Sequence, residues 1–213
     1  MEGYDAVTLS TREMGQGFPL WEQAAKDGAP IVVANLYKDA RRKKTVFKPY
    51  VIKKDHGHTM AVIGLLTETA WRAMTDTTVH YGYRSPVEMG KLIAKVAKQS
   101  DHLTVIGDFS AGETDSLVAH FPQIDLVVSS GIKSAERART IGNTVVIGSS
   151  NRGYFGNYVD FAFDKSDSTR FHPSTQTLDE SIPVDSTIFQ FVNTVNQNVK
   201  TVANQPATPA NQQ

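Results

Sequence analysis

The chain has 213 residues, and its 22 basic and 22 acidic side chains cancel, which removes a global electrostatic case for nucleic acid or an anionic membrane as partner. It has no cysteine, so disulfides, thiolate metal sites and covalent haem attachment within the chain are excluded. The length fits one domain, or one domain plus a tail. No apolar stretch approaches the roughly 18 residues a membrane span needs, and Glu2 directly after Met1 does not read as a signal peptide.

In chain order, residues 6–9 read as a short buried strand and 20–26 as a helix. Residues 31–36 read as a second buried strand. The run Arg41-Arg42-Lys43-Lys44 lies between apolar segments and reads as a solvated loop or hairpin, with a phosphate-binding patch as the alternative. Residues 46–53 and 59–65 read as a hairpin around Asp55-His56-Gly57-His58. A helix opens at Ser85, with Pro86 at its first position, Glu88 completing a capping box, and Met89, Leu92, Ile93 and Val96 on one face. Residues 61–66, 103–106, 124–128 and 145–147 are short β-branched runs that read as buried strands, with a helix at 114–120 between them. Residues 157–163 read as a strand with one covered face, and 164–177 as a polar loop. Asp185 is a candidate cap for a last helix whose Ile188, Val192, Val195, Val199 and Val202 form a narrow seam. Residues 204–213 are polar and Pro-containing and read as a linker or flexible tail. Strand, helix and strand in repeated order argue an α/β layered domain.

The histidines offer little as a constellation. The spacing of His56 and His58 places both on one side of a strand, where a two-ligand metal site competes with a solvated hairpin tip. His80, His102, His120 and His172 are scattered. Residues 148–156 contain no phosphate-loop pattern, and Ser110 lacks the glycine two residues before it that a nucleophile elbow needs.

Several ordered segments carry a resemblance. Tyr4-Asp5-Ala6-Val7-Thr8-Leu9 and Pro30-Ile31-Val32-Val33-Ala34-Asn35 are followed by Phe47-Lys48-Pro49-Tyr50 through Leu65-Leu66-Thr67. Leu178-Asp179-Glu180-Ser181-Ile182-Pro183 closes the set. Together they resemble the bacterial 5'-nucleotidase family of metallophosphoesterases over about residues 1–190. The resemblance implies a four-layer αββα sandwich in which two metals, held by Asp, His and Asn, clamp a phosphate and generate the nucleophile. Carried over position by position, the family's ligands are replaced. Its bridging Asn is Thr11, its catalytic His is Arg12, and a further ligand His is Asp108. Its Gly-Gly-His-Ser-His reads Ser129-Ser130-Gly131-Ile132-Lys133, so Gly131 and Lys133 stand where histidines would; only a Gly-x-x-Gly at Gly153 and Gly156 is kept. The family's Asp-x-His and Gly-Asp motifs lie upstream of its Tyr-Asp-Ala strand, so this chain is expected to start too late to contain them.

The expectation is a degenerate 5'-nucleotidase-like domain over residues 1–183, then a helix at 184–203 and a tail at 204–213, with the N-terminal part of the sandwich missing from the chain. Thr11, Arg12, Asp108, Gly131 and Lys133 are expected to line one shallow region without metal, cofactor or catalysis. The role expected is a structural or interaction subunit, with another polypeptide completing the sheet beside residues 4–9. The alternatives are a phosphoesterase completed by another chain, or a metal-free binder of a phosphorylated ligand through Arg12 and Lys133. By resemblance, such domains accompany multihaem cytochromes, which implies a periplasmic or extracellular setting.

Overall fold

The computed structural model describes residues 3–74, 81–132, 138–148, 154–161 and 171–203. The chain divides into two units, Met1–Thr177 and Leu178–Gln213. The first opens with helices α1 (Thr11–Met14) and α2 (Phe18–Lys26) and strands β1 (Leu36–Tyr37), β2 (Tyr50–Asp55) and β3 (His58–Leu65). It continues through α3 (Glu68–Arg72), β4 (Gly82–Tyr83), a 3-10 turn at Pro86–Met89, α4 (Gly90–Ala97), β5 (His102–Gly107) and α5 (Ala111–His120). It closes with β6 (Leu126–Ser129), β7 (Arg139–Ile141), β8 (Thr144–Gly148), β9 (Phe155–Phe161) and β10 (Phe171–Thr177). The second unit contains α6 (Ser186–Ala203).

Six strands form one mixed sheet in the order β2-β3-β5-β6-β8-β7. The four central strands β3, β5, β6 and β8 run parallel, and β2 and β7 are antiparallel edges. Parallel strands require crossovers, supplied here by α4 before β5 and α5 before β6, and burial on both faces gives them their continuous apolar runs. The β2–β3 hairpin turns at His56 and Gly57, both at positive φ (45° and 86°), as a two-residue turn that follows the twist of its strands requires. His56 therefore sits in the turn rather than on the strand, which corrects the expectation that it shares a strand side with His58. The basic run is an exposed loop, with Lys38 N–H donating to Lys44 O at 2.9 Å across its base.

The sheet separates two environments. On one face Ala61, Ile63, Leu65, Leu103, Val105, Val127 and Val146 pack against α4 and α5 through Met89, Ile93, Val96, Leu117 and Val118. Glu88 accepts from Ser85 N–H at 2.8 Å, so the capping box forms, although the helix begins as a 3-10 turn. On the other face Leu126, Val145 and Ile147 meet Phe171. Beside β3 the covering layer is the chain itself: a Cβ on Gly64 would lie 1.9 Å from Val32 O, and Ala34 N–H donates to Gly64 O at 2.8 Å.

That covering layer has its own core of Leu9, Met14, Phe18, Ile31, Val33, Leu36, Phe47, Leu66 and Ala70. Its segments at 6–9 and 31–36 are not the regular strands their composition suggests. They meet through single bridges, Val7 with Ile31 and Val32 with Lys48, and only Leu36–Tyr37 forms a short ladder, with β4. A further correction falls at 171–177, the part of the expected loop 164–177 that lies within the described residues. Phe171–Thr177 is a strand, in register with β9 from Phe171↔Phe161 to Thr177↔Phe155. A two-stranded ribbon draws on backbone groups, and only Phe171 among these side chains is buried, so no apolar period marks the segment. In the second unit Asp185 caps α6, accepting from Thr187 and Ile188 N–H at 2.8 and 3.0 Å, and Ile188, Val192 and Val195 are exposed. The expected tail at 204–213 lies outside the described residues.

Candidate functional site

In an open α/β sheet, ligands meet the carboxyl ends of the parallel strands, where loops gather side chains from several elements. Here β5 ends at Gly107 and runs into Asp108, β6 ends at Ser129 and runs into Ser130 and Gly131, and α1 lies against the same end. The Ser10-Thr11-Arg12-Glu13 stretch forms α1 because it is a capping box. Glu13 accepts from Ser10 N–H at 2.9 Å and from the Ser10 hydroxyl, and Ser10 Oγ accepts from Arg12 N–H at 3.2 Å.

Asp108 sits at the centre. Its Oδ2 accepts from Thr11 N–H at 3.1 Å and Thr11 Oγ1–H at 2.8 Å, and its Oδ1 accepts from Ser130 Oγ–H at 3.0 Å. Both oxygens are thus engaged by neutral donors from two elements, 97 and 22 residues away in sequence. The anchoring continues beneath it: Ser129, fully buried, donates from Oγ to Phe109 O at 2.6 Å and accepts from Gly131 N–H at 3.2 Å. Gly131 has no room for a side chain, since a Cβ would lie 2.5 Å from Phe109 O and 2.9 Å from Asp108 O.

Of the five positions singled out from sequence, Thr11, Asp108 and Gly131 come together. Arg12 is exposed on α1 and has no carboxylate partner among the described residues; Lys133 and Gly153 lie outside them. Ser130, which holds the second Asp108 oxygen, is not among the positions that sequence points to, although it stands inside the replaced Gly-Gly-His-Ser-His segment. The donor set does not fit a pair of divalent cations. Such a pair needs several preplaced carboxylate and imidazole ligands, whereas among the described residues the Asp108 carboxylate is committed to two hydroxyls and an amide. No group of three or more His, Asp or Glu side chains is gathered anywhere among the described residues.

Comparison with known proteins bears on the fold. No protein-family model matches the chain. A 5'-nucleotidase of Vibrio parahaemolyticus serotype O3:K6 is 35% identical over 99 residues, covering 45% of this chain and 18% of the relative. A 5'-nucleotidase precursor from Thermus thermophilus superposes with a TM-score of 0.75 over 95% of this chain and 44% of that structure, at 19% identity. The chain has a 5'-nucleotidase-like metallophosphoesterase fold. The sulfate thiohydrolase SoxB of Thermus thermophilus shares it, with a TM-score of 0.78 at 16% identity over 93% of this chain and 38% of that one. The chain spans about a fifth of the length of the curated relatives it matches.

Proposed function

We propose that this nucleotidase-like domain is catalytically degenerate and serves as a structural or interaction subunit of a larger assembly. The observation that carries the reading is the environment of Asp108. At the strand end where a metallophosphoesterase holds its ions, the Asp108 carboxylate is a clasp joining α1 to the loop after β6. The positions where the family carries histidines read Arg12, Asp108, Gly131 and Lys133, so none of them supplies an imidazole to protonate a leaving group. Purified protein supplied with Mn²⁺, Zn²⁺ or Mg²⁺ is expected not to hydrolyse AMP, UDP-glucose or an aryl phosphate above background. Metal-dependent turnover lost in Asp108→Ala would overturn the reading in favour of a phosphoesterase.

The partner proposed is a polypeptide strand laid beside residues 4–9. Val7 uses its N–H and C=O on one side, bonding Pro30 O at 3.0 Å and Val32 N–H at 2.9 Å. In an extended chain the flanking residues face the other way. Among the described residues the backbone of Ala6 and of Thr8 makes no hydrogen bond, and the buried Thr8 hydroxyl has no partner. Half-paired extended backbone is a template for strand addition. Amide exchange in a verified monomer tests this: fast exchange at Ala6 and Thr8 is expected, and strong protection there would show that the fold closes alone. A periplasmic or extracellular setting belongs to the same proposal and rests on the family resemblance.

A further inference from the structure

A cleft of about 400 Å³ lies between the end of α2 and the β1–β2 connection, lined in part by Lys26, Lys38 and Lys48 over a floor that includes Ala25, Ile31 and Phe47. Three features suit it to an anion. First, none of the three lysines pairs with a carboxylate among the described residues, and Glu22 is the one acidic side chain in the lining. Their positions are fixed by the backbone. Lys26 closes the last turn of α2, Lys38 N–H is tied to Lys44 O, and Lys48 O accepts from Val33 N–H at 2.9 Å. Second, most of the carbonyls at the end of α2 are occupied. Ala24, Ala25 and Gln23 O accept from Ala29, Gly28 and Asp27 N–H at 2.9, 3.3 and 2.9 Å, so three of the last four acceptors of the helix are already satisfied. Third, the loop that carries Arg41, Lys43 and Lys44 hangs from Lys38, adding positive potential in a chain with no net charge.

We propose that this cleft binds a small organic oxyanion, a phosphate or sulfate head on an apolar body. The lysines act as point charges on the head, and the body lies on the Ala25, Ile31 and Phe47 floor. The site is separate from the Asp108 clasp and does not depend on how that clasp is read.

The test is an amide chemical-shift titration of the full chain with phenyl phosphate, inorganic phosphate and phenol. Phenyl phosphate is expected to move the amides of Ala25, Gly28 and Lys48. It is expected to bind about tenfold tighter than inorganic phosphate, because part of the ring leaves water. Phenol is expected to bind too weakly to measure. Replacing Lys26, Lys38 and Lys48 together by Gln should abolish the shifts, while replacing the exposed Lys91 and Lys95 of α4 should leave them. The proposal is overturned if millimolar phenyl phosphate moves no cleft amide. It is equally overturned if the shifts survive the triple replacement, or if inorganic phosphate binds as tightly as phenyl phosphate.

Discussion

The two sides of the central sheet are held by different means. Toward α4 and α5, strands in continuous ladders close over a core from Ala61 to Val146, so backbone pairing and burial act together. Toward residues 4–47, pairing shrinks to single bridges and the two-residue ladder of β1 with β4, and specific contacts take over. Asn35 shows the substitution. It is fully buried; its Nδ2 donates to Leu66 O at 2.8 Å and Arg84 O at 2.9 Å, and its Oδ1 accepts from Leu66 N–H at 2.8 Å. One side chain thereby does what a strand would do for three backbone groups. The lesson is that the irregular side depends on a few replaceable atoms, whereas the regular side spreads the same stabilisation over many.

Both tryptophans, Trp21 and Trp71, pack on the irregular side, so their fluorescence reports that side alone while circular dichroism reports both. Gly64→Ala places a methyl against Val32 O where β3 meets the covering layer. It is expected to have the largest effect, more than about 3 kcal/mol, with tryptophan emission shifting red before the sheet signal falls. Coincident loss of the two signals would show that the sides are not separable. Asn35→Ala leaves Leu66 N–H and Arg84 O without the amide, while Leu66 O keeps the Tyr83 hydroxyl at 3.3 Å, and about 2–3 kcal/mol is expected in urea unfolding. A cost below about 1 kcal/mol would mean that water replaces the amide. Asp108→Ala removes the acceptor of Thr11 and Ser130; being half-exposed, it is expected to cost about 1–2 kcal/mol. The smallest effect concerns Glu88. The Ser85 N–H bond, with help from Arg42 and Arg84, holds its carboxyl below the ordinary value of 4.5. A depressed folded value adds stability above that ordinary range, lost as pH falls through the folded value. Glu88→Gln should therefore show a shallower loss of stability below about pH 4.5, and an unchanged acid limb would show that the cap is not ionic.

The regular side is legible in the sequence because its signals are local. The apolar runs near 61–66, 103–106, 124–128 and 145–147 all form strands, and Asp55-His56-Gly57-His58 a turn. The same signal misleads at 6–9 and 31–36, where apolar composition reflects burial in an irregular layer rather than ladder pairing. Asn35 is missed by such a reading, although a polar residue closing the apolar run Ile31-Val32-Val33-Ala34 marks a buried amide with backbone groups to satisfy. Helix α1 has its own signal in Ser10-x-x-Glu13, hidden beneath the comparison of that stretch with a family's lost ligands. The union of Thr11 with Asp108 across 97 residues follows from topology, which no spacing rule contains; only the family resemblance brings those positions together.

The hairpin turn at His56-Gly57 bears on the order of assembly. Its two strands are six and eight residues long and adjacent in sequence, so they can pair within about 1–10 μs. Every other neighbour of β3 must cross a longer loop, at an entropic cost that comes before any contact rewards it. Once formed, the hairpin offers β3 as a preset edge, with Gly64 exposing bare backbone on one face and Ile63 and Leu65 standing on the other. A turn of two residues thus sets the starting plane from which both sides of the molecule are raised.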